Sequence, residues 1–143
     1  MLTPQIHIIR TGTAPVIFAL SGEQDIATSR ELHVAIQQAV DGGRGVVVDL
    51  ADATFIDSAI LRTLIDGHRA ATAIGVAGLS VVAPPGGVAA GLFELVRASE
   101  VLAISPSRDV AVEKYGARDP RQVMTPQHGP GWPASPLPRD VRR

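Results

Sequence analysis

The chain has 143 residues, of which 45% are hydrophobic, 19% are charged and only 3% are aromatic. This length fits one domain with a sizeable core, which Val, Ile, Leu and Ala must build because rings are scarce. The absence of cysteine excludes disulfides, thiolate metal sites and cysteine nucleophiles. A formal net charge of −1 and the lack of a long apolar run argue against nucleic-acid binding, membrane insertion and a secretion signal. We therefore expect a cytoplasmic protein.

Residues 117–143 differ in composition from the rest of the chain. They contain six of the eleven prolines and five Arg against two Asp, without hydrophobic periodicity. This composition predicts a disordered, basic tail over residues 117–143 and one folded, acidic domain over residues 1–116. The near-neutral total charge is a balance between these two parts.

The domain is predicted to begin with a β-hairpin. Two short runs rich in β-branched residues, Gln5 to Arg10 and Val16 to Leu20, are separated by Gly12 and Pro15. Apolar runs on either side of turn residues are typical of two paired strands.

A helix and a buried strand are predicted next. Apolar residues recur at helical spacing from Leu32 to Val40, and Gly42-Gly43 follows as a stop signal. Thr28 and Glu31 have the spacing of a capping box in front of this helix. Gly45 to Leu50 is then a continuous apolar run, which indicates a central strand covered on both faces.

The rest of the domain alternates between helix and strand. The predicted elements, in order, are a helix with its apolar stripe from Ile60 to His68, a strand from Leu79 to Ala83, a turn from Pro84 to Gly87, a helix from Val88 to Arg97, a strand from Val101 to Ile104 and a helix from Asp109 to Tyr115. This alternation predicts an α/β sandwich, with a mixed sheet of about four or five strands and four helices packed mainly on one face.

The most informative segment, Ile56-Asp57-Ser58-Ala59-Ile60, leads into the second helix. Asp57 and Ser58 are both preferred N-cap residues, so the simplest interpretation is that one of them caps this helix. A Ser hydroxyl at a helix N-terminus is also a favourable place for a phosphate, because free N–H groups and the helix dipole favour negative charge there. Both interpretations are open from the residues alone.

Three segments then match a known pattern in order and spacing. They are LSGEQDIAT (residues 20–28), VVVDL (46–50) and FIDS (55–58). Together they resemble the STAS domain of bacterial anti-sigma factor antagonists, over roughly residues 5–115. The resemblance implies a STAS-like sandwich that binds an anti-sigma factor of the serine-kinase type and thereby releases a sigma factor.

The resemblance also implies a switch at Ser58. In the family the corresponding Ser is phosphorylated by the anti-sigma factor, which ends the binding, and a phosphatase resets it. ATP and Mg²⁺ belong to the kinase, so no cofactor is expected on this chain. We expect Asp25, Asp57, Ser58 and Arg62 to contribute to the partner-binding surface. Arg62 lies one helical turn beyond Ser58, although a solvent-exposed, solubilising Arg is the simpler interpretation of it.

The chain departs from the family pattern directly after Ser58. Ala59 and Ile60 stand where the family has a second hydroxyl and a glycine. A β-branched side chain at this position could limit how closely a kinase approaches Ser58. The departure keeps open a second function, a STAS-like scaffold in a stress-signalling or transport complex that is not phosphorylated. A weak homodimer is also open.

Catalysis and metal binding have little support in the sequence. A nucleophilic Ser58 would need Asp57 and one of three histidines (His7, His33 and His68), but the segment lacks both glycines of the G-x-S-x-G elbow. The histidines show no metal-ligand spacing. The turn Pro84 to Gly87 lacks the Lys of a phosphate loop. We therefore expect neither an enzyme nor a metal site.

Overall fold

The computed structural model describes residues 5–12, 14–75 and 79–116. The strands are β1 (Gln5–Ile9), β2 (Val16–Gln24), β3 (Val46–Ile56), β4 (Leu79–Val82) and β5 (Ala103–Ser105). The helices are α1 (Ile26–Asp41), α2 (Ser58–Ala73), α3 (Val88–Leu95) and α4 (Arg108–Gly116), with one 3₁₀ turn at Ala98–Glu100. The predicted tail, residues 117–143, lies outside the described residues.

The described strands form one five-stranded sheet in the order β1-β2-β3-β4-β5. β1 is antiparallel to β2, as expected for a hairpin, and every other pair is parallel. The parallel pairs require a helix between successive strands, because the chain must cross back to the end of the sheet where the previous strand began. The predicted α/β class with a mixed sheet is confirmed.

The two faces of this sheet are covered unequally. Three helices pack on one face, where Leu32 of α1, Leu64 of α2 and Phe93 of α3 join the main core. α4 packs on the opposite face, where Ala111 contacts Val47 and Val82. Three of the four described helices thus share a face, as predicted, and α4 explains why the first half of β3 is buried on both sides.

Two strands run further than the sequence predicted. β2 continues to Gln24 rather than ending at Leu20, and β3 continues to Ile56 rather than ending at Leu50. The two extensions pair with each other across register shifts that follow Ala19 and Gly22. Their Ser, Gly and Asp residues are typical of turns, but bulged pairing accommodates them within the strands.

The predicted capping box of the first helix is wrong by one turn. Asp25 is the N-cap, because its Oδ1 accepts hydrogen bonds from the N–H groups of Ala27 and Thr28 at 3.0 and 3.2 Å. Thr28 occupies the N3 position and accepts from the N–H of Asp25 through its Oγ1 at 2.9 Å. The box is therefore Asp25 with Thr28, and α1 begins earlier than its apolar stripe suggested.

An ion pair anchors α4 to the sheet. Arg108 donates through Nε to Oδ2 of Asp49 at 2.9 Å, and its Nη2 lies 2.9 Å from the same oxygen. The other carboxylate oxygen of Asp49 accepts the N–H of Ala51 at 2.9 Å. The Asp49 side chain is only 8% exposed, so these bonds replace the water that its charge has lost.

Candidate partner-binding site at the ends of β2 and β3

The candidate site lies where β2 and β3 pass into their helices. Gln24 and Ile56 are the last paired residues of the two strands. Just beyond this pair, the backbone N–H of Asp57 donates to the backbone carbonyl of Gln24 at 2.9 Å. Asp25 and Asp57 therefore begin the two helices side by side. They lie at the edge of the sheet that is formed by the carboxyl ends of β2 and β3, which we call the acidic edge.

Both aspartates are helix caps. The Oδ1 of Asp57 accepts the N–H of Ala59 at 2.8 Å, as Asp25 does for Ala27 and Thr28 in α1. The prediction that Asp57 or Ser58 caps the second helix is confirmed, with Asp57 in that position. Because each carboxylate is held by backbone N–H groups, the two negative charges have fixed positions at this edge.

Ser58 is the first residue of α2, and its side chain is exposed. Its Oγ lies 3.4 Å from Oδ1 of Asp57. A phosphate attached to this oxygen would face solvent close to the Asp57 carboxylate. The structure thus brings Asp25, Asp57 and Ser58 together and leaves the hydroxyl accessible.

Ile60 does not cover Ser58. Its side chain is completely buried in the main core, with Leu64 one turn further along α2. Ile60 therefore presents no bulk to a partner that approaches Ser58, contrary to what the sequence suggested. Ala59, where the family has a second hydroxyl, is half-buried.

Arg62 is exposed on α2, four residues beyond Ser58. Residues four apart on a helix lie on the same side, so Arg62 is within reach of a partner that contacts Ser58. Within the described part of the chain Arg62 forms no ion pair. Arg62 therefore offers, among the described residues, an unpaired positive charge on the helix that carries Ser58.

Two apolar side chains at this edge were missed by the sequence analysis. Ile26, directly after Asp25, is 57% exposed, and Phe55, two residues before Asp57, is 50% exposed. Phe55 faces away from the main core, because its neighbour Ile56 is buried there and successive strand residues face opposite sides. The register sets Glu23 opposite Phe55. The site therefore combines exposed apolar groups with carboxylates.

The histidines lie on other parts of the fold. His7 is exposed on β1 and His33 is exposed on α1. His68 is half-buried in α2, where its Nδ1 accepts the N–H of Leu79 at 3.3 Å. Among the described residues, no group of three or more His, Asp or Glu side chains is placed to hold a metal ion.

The sequence over residues 7–103 matches the domain family described as "Mlab, STAS domain". This range covers more than half of the chain, so the chain belongs to the STAS domain family. No curated protein matches the chain.

None of the helices in the described part of the chain is long and apolar enough to cross a membrane.

Solved structures share the fold. An anti-sigma factor antagonist from Mycobacterium paratuberculosis superposes with a TM-score of 0.65 at 20% identity, over 79% of this chain and 94% of that one. The antagonist SpoIIAA in its unphosphorylated form gives 0.60 at 16% identity, over 77% and 96%. Phosphorylated SpoIIAA from Bacillus gives 0.58 at 15% identity, over 77% and 98%. At these identities the likeness is one of fold.

Proposed function

We propose that this protein is an anti-sigma factor antagonist whose binding is controlled at Ser58. Its unphosphorylated form binds an anti-sigma factor of the serine-kinase type in the cytoplasm and so releases a sigma factor. The observation that carries the proposal is an exposed Ser hydroxyl at the start of α2, beside the capping carboxylates of Asp25 and Asp57. The fold shared with antagonists, one of them known in both phosphorylation states, supports it.

Phosphorylation of Ser58 would act on the partner rather than on the fold. A phosphate carries about −1.5 to −2 charges at neutral pH. The side chain of Asp57 already accepts the N–H of Ala59, so the phosphate competes with a carboxylate for the helix terminus. Its charge stays largely uncompensated at an acidic edge, where it repels acidic groups and must lose water before a partner can dock. The kinase supplies ATP and Mg²⁺, and a phosphatase restores the hydroxyl.

The test is the affinity for an anti-sigma kinase encoded near this gene. We expect Ser58→Ala to bind like the wild type and Ser58→Glu to bind at least tenfold more weakly. Ser99→Glu adds the same charge at an exposed Ser in the 3₁₀ turn and should leave the affinity unchanged. Equal affinities for the wild type and Ser58→Glu would contradict the switch.

The second candidate function is a scaffold that is not phosphorylated, in a stress-signalling or transport complex. Ala59, in place of the family's second hydroxyl, favours it. A scaffold should bind its partner equally as wild type, Ser58→Ala and Ser58→Glu. Incubation with the kinase and ATP should then leave Ser58 unmodified by mass spectrometry.

A further inference from the structure

We propose that two copies of this chain associate edge to edge through β1, as an antiparallel strand pair with a twofold axis at His7. Among the described strands, β1 lies at the end of the sheet and pairs with β2 alone. Four of its five residues are exposed, including Ile8 at 46% and Ile9 at 37%. This inference goes beyond the proposed function, since it concerns a different surface and a different partner.

β1 lacks the features that usually protect an edge strand. Natural edges are blocked by charged residues, by proline, by bulges or by shortness. The other edge, β5, has only three residues. β1 has five (Gln5–Ile9), none of them Pro, Lys, Arg, Asp or Glu, and they pair with β2 in unbroken register. The outer side of β1 therefore offers a regular row of backbone donors and acceptors.

The side chains of β1 are complementary to themselves. An antiparallel pair centred on His7 sets Ile6 of each copy opposite Ile8 of the other. The register places Ile6 beside Leu20 and Ile8 beside Phe18, which belong to the main core. Ile6 already packs against that core, so the four isoleucines would continue it across the axis. Directly opposed β-branched residues stabilise strand pairs.

A second copy fits this edge better than a charged partner does. The five residues present no formal charge that would select an acidic or basic peptide. A strand of five residues spans about 17 Å, and pairing of this length gives a contact at the lower end of specific interfaces. We therefore infer a reversible dimer whose population rises with concentration. Ser58 and its neighbouring carboxylates lie at the starts of α1 and α2 rather than on β1.

The chain contains no cysteine, so one introduced cysteine reports on one contact. Opposed residues of an antiparallel pair have Cα atoms about 4.5 to 5.5 Å apart, which is within the range of a disulfide. The full chain with His7→Cys should form a covalent dimer under mild oxidation at least tenfold faster than Val34→Cys, an exposed site on α1. Equal rates for the two variants would overturn the proposal.

Sedimentation provides the second measurement. The wild type should show a dimer that grows with concentration, and Ile8→Glu should abolish it by placing two carboxylates beside the axis. Val34→Glu should leave the dimer unchanged, since Val34 is 55% exposed and lies on α1. A wild type that stays monomeric at millimolar concentration, or a dimer that survives Ile8→Glu, would refute the pairing.

Discussion

Gly67 of α2 lies so close to Ile36 of α1 that a Cβ atom on the glycine would stand 2.8 Å from Cγ2 of Ile36. The same Cβ would lie 3.0 Å from Cδ1 of Leu79 in β4. The two helices and the sheet therefore pack together at Gly67, where the absence of a side chain lets them approach closely. Because Asp25 begins α1 and Asp57 begins α2, this close approach also helps to place the two carboxylates together.

Gly67→Ala should lower the free energy of unfolding by about 1–3 kcal/mol, since the added methyl group forces the surrounding core to shift. This loss should occur although alanine is intrinsically about 1 kcal/mol better than glycine within a helix. Denaturant unfolding measures it. Gly91→Ala in α3 is the matched control: its Cβ would meet nothing within 4 Å, so it should stabilise the protein. A Gly67→Ala variant as stable as Gly91→Ala would contradict this account.

The ion pair between Arg108 and Asp49 should matter far more than the ion pair at the surface. Arg108→Ala leaves a buried carboxylate without its charged partner and should lower the free energy of unfolding by about 2–3 kcal/mol. The loss is smaller than for a fully buried ion pair, because the Arg108 side chain is 41% exposed. Arg97→Ala removes an Arg–Glu100 pair with 81% and 66% exposed side chains at 4.0 Å, and should cost less than about 0.5 kcal/mol. Equal losses in thermal or denaturant unfolding would show that the Asp49 pair contributes no more than a surface pair.

Two variants of Asp57 separate its role as a helix cap from the effect of its negative charge. Asp57→Ala removes the acceptor for the N–H of Ala59 and should cost about 1 kcal/mol of stability. Asp57→Asn keeps an acceptor oxygen and should change stability by much less. If the carboxylate also contributes to partner binding, Asp57→Asn should weaken binding while the protein stays folded. Asp57→Ala and Asp57→Asn with the same stability would contradict the capping role.

Ile60→Gly restores the residue that the family has at this position, and we expect it to harm this protein. The completely buried side chain would be lost and a cavity left in the main core. The loss should be about 3–5 kcal/mol, because cavity formation and the poor helix propensity of glycine add together. Chemical denaturation measures this. Ala59→Ser, at the half-buried neighbour, should change stability by less than about 1 kcal/mol.

The sequence predicted the architecture well where the hydrophobic period was regular. The run Val46–Leu50 is buried on both faces, and the stripe of α2 faces the main core. Prediction failed where a long-range contact outweighed local preference. The turn-forming residues between Leu50 and Ile56 pair with β2, and sequence spacing cannot show that pairing.

The sequence predicted only part of the candidate site, because local patterns do not show contacts between distant segments. Asp57 and Ser58 were predicted from the local motif, and Asp25 was predicted from the family resemblance. The capping role of Asp25 became visible only in the structure. The exposure of Phe55 depends on which face of the sheet the helices cover, and no local pattern states this. Ile26 was missed because an apolar residue in a predicted helix or loop is normally assigned to the core.

Phe55 and Ile26 should therefore be the apolar anchors of the partner-binding surface. Both are half-exposed or more and stand next to carboxylates, an arrangement that fits an apolar pocket with an uncharged polar rim on the partner. Large apolar side chains at the centre of an interface contribute most of its energy, often 2 kcal/mol or more on truncation to alanine. We expect Phe55→Ala to weaken binding of the anti-sigma kinase at least tenfold and Ile26→Ala to weaken it less.

Val34→Ala is the matched control, because Val34 is 55% exposed on the same helix as Ile26, two turns from its start. All three variants should unfold within about 1 kcal/mol of the wild type, since each truncated side chain is largely in contact with water. Calorimetric affinities for the kinase then separate the sites. If Phe55→Ala binds as tightly as Val34→Ala, the partner does not contact this edge through Phe55, and the carboxylates alone must account for recognition at Ser58.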